Sequence, residues 1–141
     1  MSWEENIFFF VLFGALGIAL EVFCTAIENL RRKKDKCLRG TSSMWMFFIY
    51  GSAYFIVLLV TTYFSEFNIL LRGLIYMLLF YALEFCSGVI LKKYKAVPWD
   101  YSGDTKYHFR GIIRLEFAPL WFIGGLVAEA VYLYFKIHLT F

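Results

Sequence analysis

YALEFCSGVILKKYKAVPWDYSGDTKYHFRGIIRLEFAPLW, residues 81–121, sets an acid, Glu84, inside an apolar run, follows it with a basic and aromatic connection, and turns apolar again after Arg114. This is the pattern of a chain that leaves a lipid bilayer and re-enters it. Working outward, apolar segments of spanning length lie at 6–27, 43–64, 69–91 and 115–135, each close to the roughly 20 residues that cross a hydrocarbon core of about 30 Å. Lipid offers no partner to an open sheet edge, so these segments are read as helices. The expected fold is an all-α integral membrane protein. It has four transmembrane helices in a compact bundle and one multi-pass domain over 1–141, with connections at 28–42 and 92–114. Pro119 is expected to kink the fourth helix.

Composition agrees. Apolar residues make up 61% of a 141-residue chain, well above soluble domains, and a domain this small has too little interior to hide them. Ser2-Trp3-Glu4-Glu5 is acidic where a signal peptide needs basic residues. Cys24, Cys37 and Cys86 are odd in number and form neither CxxC nor a zinc spacing, so neither a disulfide framework nor a metal or other cofactor is expected.

Charge sets an expected orientation. Arg31, Arg32, Lys33, Lys34, Lys36 and Arg39 fall in the first long connection, and Lys92, Lys93, Lys95, Lys106, Arg110 and Arg114 in the second. Only Arg72 and Lys136 remain for the opposite side. The positive-inside rule then puts 28–42 and 92–114 in the cytoplasm and both termini outside it. Trp45, Trp99 and Tyr101 are expected at headgroup depth as interfacial anchors.

Glu21 and Glu84 are the first site candidates. Glu21 shares a helical face with Gly14, Gly17, Cys24, Thr25 and Glu28, a stripe that must face protein or water rather than lipid. Glu84 has Ser87 and Gly88 one turn on. A faint echo links them: Ala19-Leu20-Glu21-Val22-Phe23-Cys24 against Ala82-Leu83-Glu84-Phe85-Cys86, each followed by a basic connection and a Trp near the next helix start. It is compatible with a parallel two-helix repeat. Either acid could tie helices through a Tyr, Ser or backbone group, or bind an ion, proton or headgroup. Asp100 fits an Asx turn in Pro98-Trp99-Asp100-Tyr101-Ser102, or a position where Trp99 inserts and aims it at the glutamates. Arg110, Arg114 and Glu116 complete the expected set at one pocket mouth, arginine suiting phosphate or carboxylate because its planar fork holds two oxygens. Glu129, with Gly125 and Tyr132, is expected to bond another helix.

Several classes are excluded by what is missing. The chain has no phosphate-cradling Gly loop, HExxH or nucleophile elbow, so no catalytic residue is named. It has no soluble basic face for nucleic acid.

The motifs GTSSMW (40–45), FIYG (48–51), LRGLIY (71–76), EF with GVIL (84–85, 88–91), PWDYS (98–102) and LEFA (115–118) resemble the transmembrane protein 229 family. More loosely, they resemble bacterial proteins described as putative ABC-transporter permeases of the CmpB type. The likeness runs from Gly14 to Tyr132. It implies a multi-pass membrane protein, with glutamate expected at positions 21 and 84. The leading expectation is permease-type handling of a small solute or ion through Glu21, Glu84, Asp100, Arg110, Arg114 and Glu116, in a homodimer or with another membrane subunit. An accessory or scaffolding protein whose acids only pair helices is the main alternative, and a lipid-headgroup enzyme the third.

Overall fold

The computed structural model describes residues 2–139 and is built on four long helices. They are α1 (Trp3–Lys33), α2 (Met44–Tyr63), α3 (Ile69–Lys93) and α4 (Ala118–His138), the last preceded by a 3-10 turn, Leu115–Phe117. Between α3 and that turn lie β1 (His108–Phe109) and β2 (Ile113–Arg114), an antiparallel pair with His108 opposite Arg114. All four helices are long and apolar enough to cross a membrane, so this is an integral, multi-pass membrane protein in a lipid bilayer.

The helix ends follow local chemistry. Ser2 caps α1 by accepting from the Glu5 amide at 3.1 Å, and Asn68 caps α3 through the Leu71 amide at 2.9 Å. α1 runs six residues past the apolar segment that ends at 27. Glu28 pairs with Arg32 at 3.0 Å one turn on, and Lys34 ends the helix in a left-handed conformation. Hydropathy had marked the part fit for lipid, not the hydrogen-bonded helix. Pro119 does not kink the fourth helix as expected. It falls in the first turn of α4, where its missing N–H costs no helical bond.

The chain divides after Ser52, within α2, into two compact units. In the first, Gly14 lies against Phe47 and Gly17 against Tyr50, and the Phe10 and Phe47 rings meet edge-to-face at 6.1 Å. The connection after α1 folds back along that helix's polar stripe. Ser42 Oγ donates to Glu21 at 2.6 Å, the Thr41 amide to Thr25 Oγ1 at 2.8 Å, and Asn29 Nδ2 to the Arg39 carbonyl at 2.8 Å. Glu21, Thr25 and Asn29 recur every fourth residue, so they stand in one row for an extended strand to follow.

In the second unit the buried positions of α3 are Gly73, Tyr76, Phe80, Glu84, Gly88 and Leu91. They step by three or four and form one seam, met on α4 by Gly125, Glu129 and Tyr132. The outward faces are apolar, with Leu78 62% and Ile123 59% exposed. Polarity is therefore inside and hydrocarbon outside, as lipid requires. Arg72 and Glu129 bridge α3 and α4 at 3.1 Å, the helix-to-helix role expected for Glu129. A Cβ at Gly125 would collide with Tyr76 on the facing helix, whereas one at Gly124 meets nothing within 4 Å. Gly125→Val is expected to cost about 1–3 kcal/mol by forcing α3 and α4 apart. Gly124→Val should stay within about 0.5 kcal/mol. Unfolding in mixed micelles checks both, and equal effects would contradict the packing.

Candidate functional site

Glu84 sits in the α3 seam at 8% exposure. Three features bring a loop onto it. Gly88, one turn on, leaves room for Ile112 and for the Trp99 ring. Trp99 Nε1–H donates to the Ile112 carbonyl at 3.0 Å, and the Tyr101 amide donates to Gly111 O at 2.9 Å. The 98–102 turn is thus laced to the β1–β2 hairpin, and the hairpin is pinned to α3 where Tyr81 Oη–H reaches the Leu115 and Arg114 carbonyls at 3.0 and 3.1 Å.

Within this frame Tyr101 reaches the acid, its hydroxyl donating to Glu84 Oε1 at 3.4 Å, a long bond. Trp121, at the start of α4, brings its indole to the same carboxylate. Neither Glu84 Oε2 nor Trp121 Nε1 completes a hydrogen bond of good geometry. The two groups face each other without closing. Rings continue on either side: Tyr101 on Phe117 at 5.8 Å, Phe117 on Trp121 at 6.4 Å and Trp121 on Phe80 at 5.8 Å. The result is a buried carboxylate in an aromatic wall, with one oxygen unengaged. An anionic group so placed can take a proton, a metal cation or an organic cation, the last also attracted to ring faces.

The other expected residues are dispersed around it. Asp100 makes the Asx turn, accepting from the Ser102 hydroxyl at 2.6 Å and the Ser102 amide at 2.9 Å. Those bonds hold its carboxyl below the usual aspartate range. Trp99 does insert, but the side chain this delivers to Glu84 is Tyr101 rather than Asp100. Arg114 turns to Glu116 at 2.7 Å and lies over the Phe117 ring at 5.0 Å. Arg110, at the hairpin tip, sits over Phe109 at 5.6 Å. It lines an open concavity with Val89, Lys92, Lys93 and Ile112. Glu84 is not among those lining residues. Glu21 belongs to the first unit, where Ser42 holds it.

The Trp99 indole and the Tyr101 phenol both turn in toward α3, whereas Trp45, at the start of α2, is half-exposed. Tyr101, Trp121 and Tyr81 were missed as site residues, since a lone aromatic in an aromatic-rich chain carries no distinguishing mark. The two acids of the expected echo share one local feature. Each acid receives a hydroxyl from the connection that follows its own helix, Ser42 in one unit and Tyr101 in the other.

A family model described as putative ABC-transporter type IV, of the CmpB type, matches residues 8–139, nearly the whole chain. The looser of the two resemblances in the sequence is thus the one this match carries. No solved structure matches the chain.

Proposed function

This chain belongs to the putative ABC-transporter type IV family, and from that membership we propose that it is a permease-type membrane subunit in which Glu84 binds a small cationic solute or ion. The observation that carries the reading is the Glu84 carboxylate, 8% exposed, walled by aromatic rings and with Oε2 completing no hydrogen bond of good geometry although the Trp121 indole approaches the carboxylate. A buried carboxylate is costly unless paired, so a cation that completes it gains the interaction the protein leaves open. Tyr101 holds the other oxygen, and the 98–102 turn covers the site. Glu21, tied to Ser42, positions the first connection, and Arg114 with Glu116 braces the start of α4. The charge count supports placing the 28–42 and 92–114 connections in the cytoplasm, with Glu84 in the half of the membrane nearer them. Four helices are few for a pathway across the membrane, so in this reading a second copy or another membrane subunit completes it. A headgroup enzyme gains less support, because Asp100 is committed to Ser102 rather than set as an acid–base partner for Glu84.

The test is thermal unfolding in nanodiscs with sodium, potassium, ammonium, tetramethylammonium and calcium chlorides at equal ionic strength. One cation class should raise the melting temperature saturably, by roughly 5–10 °C at a hundredfold excess over Kd. Glu84→Gln should lose that shift, and Tyr101→Phe, which keeps the carboxylate, should retain it. A wild type indifferent to cation identity, or a Glu84→Gln protein that responds as wild type does, would return the acid to helix pairing and the protein to an accessory role.

A further inference from the structure

We propose that the concavity at the C-terminal end of α3 is a binding site for a phosphate group, held by Lys92, Lys93 and Arg110 above an apolar floor of Val89 and Ile112. It stands apart from the reading of Glu84.

Three cationic side chains converge on this one concavity of about 640 Å³, and no acid lines it. Four of the other five guanidinium groups have carboxylates: Arg32 with Glu28, Arg39 with Asp35, Arg72 with Glu129 and Arg114 with Glu116. Arg110 has no ion-pair partner among the described residues. Asp100 lies close enough to Lys92 to feel its charge, but its Oδ1 already accepts two bonds from Ser102. The cluster therefore keeps an excess of positive charge.

The geometry is fixed before any ligand arrives. Arg110 and Gly111 both have positive φ, 55° and 71°, an arrangement uncommon for arginine that surrounding bonds must hold. Lys92 Nζ donates to the Arg110 carbonyl at 3.2 Å, and the Gly111 amide donates to His108 Nδ1 at 3.1 Å. Trp99 secures Ile112 from the other side. The Lys92 ammonium is tied to the Arg110 backbone and the Arg110 guanidinium lies over the Phe109 ring; with Lys93 lining the same concavity, the set offers a planar fork and two ammonium groups to the several oxygens of one phosphate.

Position along the helix supplies the rest. The 25 residues of α3 span about 37 Å at 1.5 Å each, longer than a hydrocarbon core of about 30 Å. Lys92 and Lys93, in the last turn, fall at headgroup depth. Val89 and Ile90, exposed one turn earlier, offer apolar surface to an acyl chain. A phospholipid phosphate and a soluble phosphate share the headgroup chemistry, and only the former uses that surface.

The experiment titrates the detergent-solubilised protein with dioctanoyl phosphatidic acid, dioctanoyl phosphatidylcholine and inorganic phosphate, following binding by native mass spectrometry and melting temperature. Phosphatidic acid should bind saturably and at least tenfold more tightly than phosphatidylcholine. Lys93→Gln/Arg110→Gln should lose tenfold or more, Lys93→Arg/Arg110→Lys should stay within threefold, and Lys34→Gln/Lys36→Gln should change nothing. Phosphatidic acid binding without inorganic phosphate binding identifies a lipid site, and equal binding of both identifies a soluble anion; each upholds the phosphate clamp. Lys93→Gln alone, at an exposed position, serves if the double variant does not fold, with a threefold loss or more expected. The proposal is overturned if phosphatidic acid binds no better than phosphatidylcholine while inorganic phosphate is silent. It also fails if the glutamine variants bind as wild type does, or if Lys34→Gln/Lys36→Gln weakens binding equally.

Discussion

Glu129→Leu is expected to destabilise the protein by about 3 kcal/mol, while Arg72→Leu/Glu129→Leu is expected to lie close to wild type. The single change strands a guanidinium whose side chain is only 23% exposed and whose one carboxylate partner is 3.1 Å away. Its Nε already lacks a hydrogen bond, and its Nη1 keeps only a long 3.4 Å bond to the Ser65 carbonyl, so the charge stays largely uncompensated. The figure belongs at the lower end of the range for broken buried pairs. Arg72 begins the second turn of α3 and can reach toward the membrane surface once released. Removing both charges leaves no buried ion, and the cost is limited to the Tyr76 hydroxyl, which loses the carboxylate beside it. Arg72→Leu alone strands the more deeply buried partner, Glu129 at 7% side-chain exposure. A double-mutant cycle by unfolding in mixed micelles should give a coupling close to the sum of the two single losses, about 6 kcal/mol if each is near 3. A coupling below about 0.5 kcal/mol would mean the pair is ornamental and the α3–α4 seam is held by packing alone.

That pair also shows what the sequence could and could not disclose. The four helices were legible because lipid imposes length and composition together, and both can be counted. Glu129 was legible as a helix-pairing acid from its place beside Gly125 and Tyr132. Its partner was not, since Arg72 lies 57 positions away and no periodicity connects residues on different helices. The site was legible in location only. Glu84 marks it because a carboxylate in an apolar run has few explanations. Which member of Trp99-Asp100-Tyr101 would face it depended on the turn. Asp100 takes the Ser102 amide and hydroxyl, as Asx turns do, and that bond rotates the next side chain, Tyr101, onto α3. Arg110 and Arg114 were expected at one pocket mouth, but a hairpin tip at Gly111 separates them and sends one to Lys92 and the other to Glu116.

The same turn carries the second large effect. Trp99→Ala is expected to raise hydrogen exchange at the amides of Tyr101, Ile112 and Leu115 by roughly 100-fold while leaving the amides of α4 unchanged. Those three amides donate to Gly111, Phe109 and Tyr107 carbonyls at 2.9–3.0 Å, and all belong to the segment that Trp99 fastens. The substitution removes an indole resting over Gly88 and strips the Ile112 carbonyl of its 3.0 Å donor. Large-to-small aromatic changes cost about 3–5 kcal/mol in cores. The half-buried setting of Trp99 puts it at the lower end, and each 1.4 kcal/mol is tenfold in an opening equilibrium. Trp99→Phe keeps a ring but not the donor, so it should give roughly tenfold, the share of one hydrogen bond. If the turn is the cover over Glu84, freeing it should also speed the cation response of the carboxylate without abolishing it, because Glu84 itself stays on α3. Acceleration spread equally over the α4 amides would show instead that Trp99 supports the whole second unit, and the cover would then have no independence to exploit.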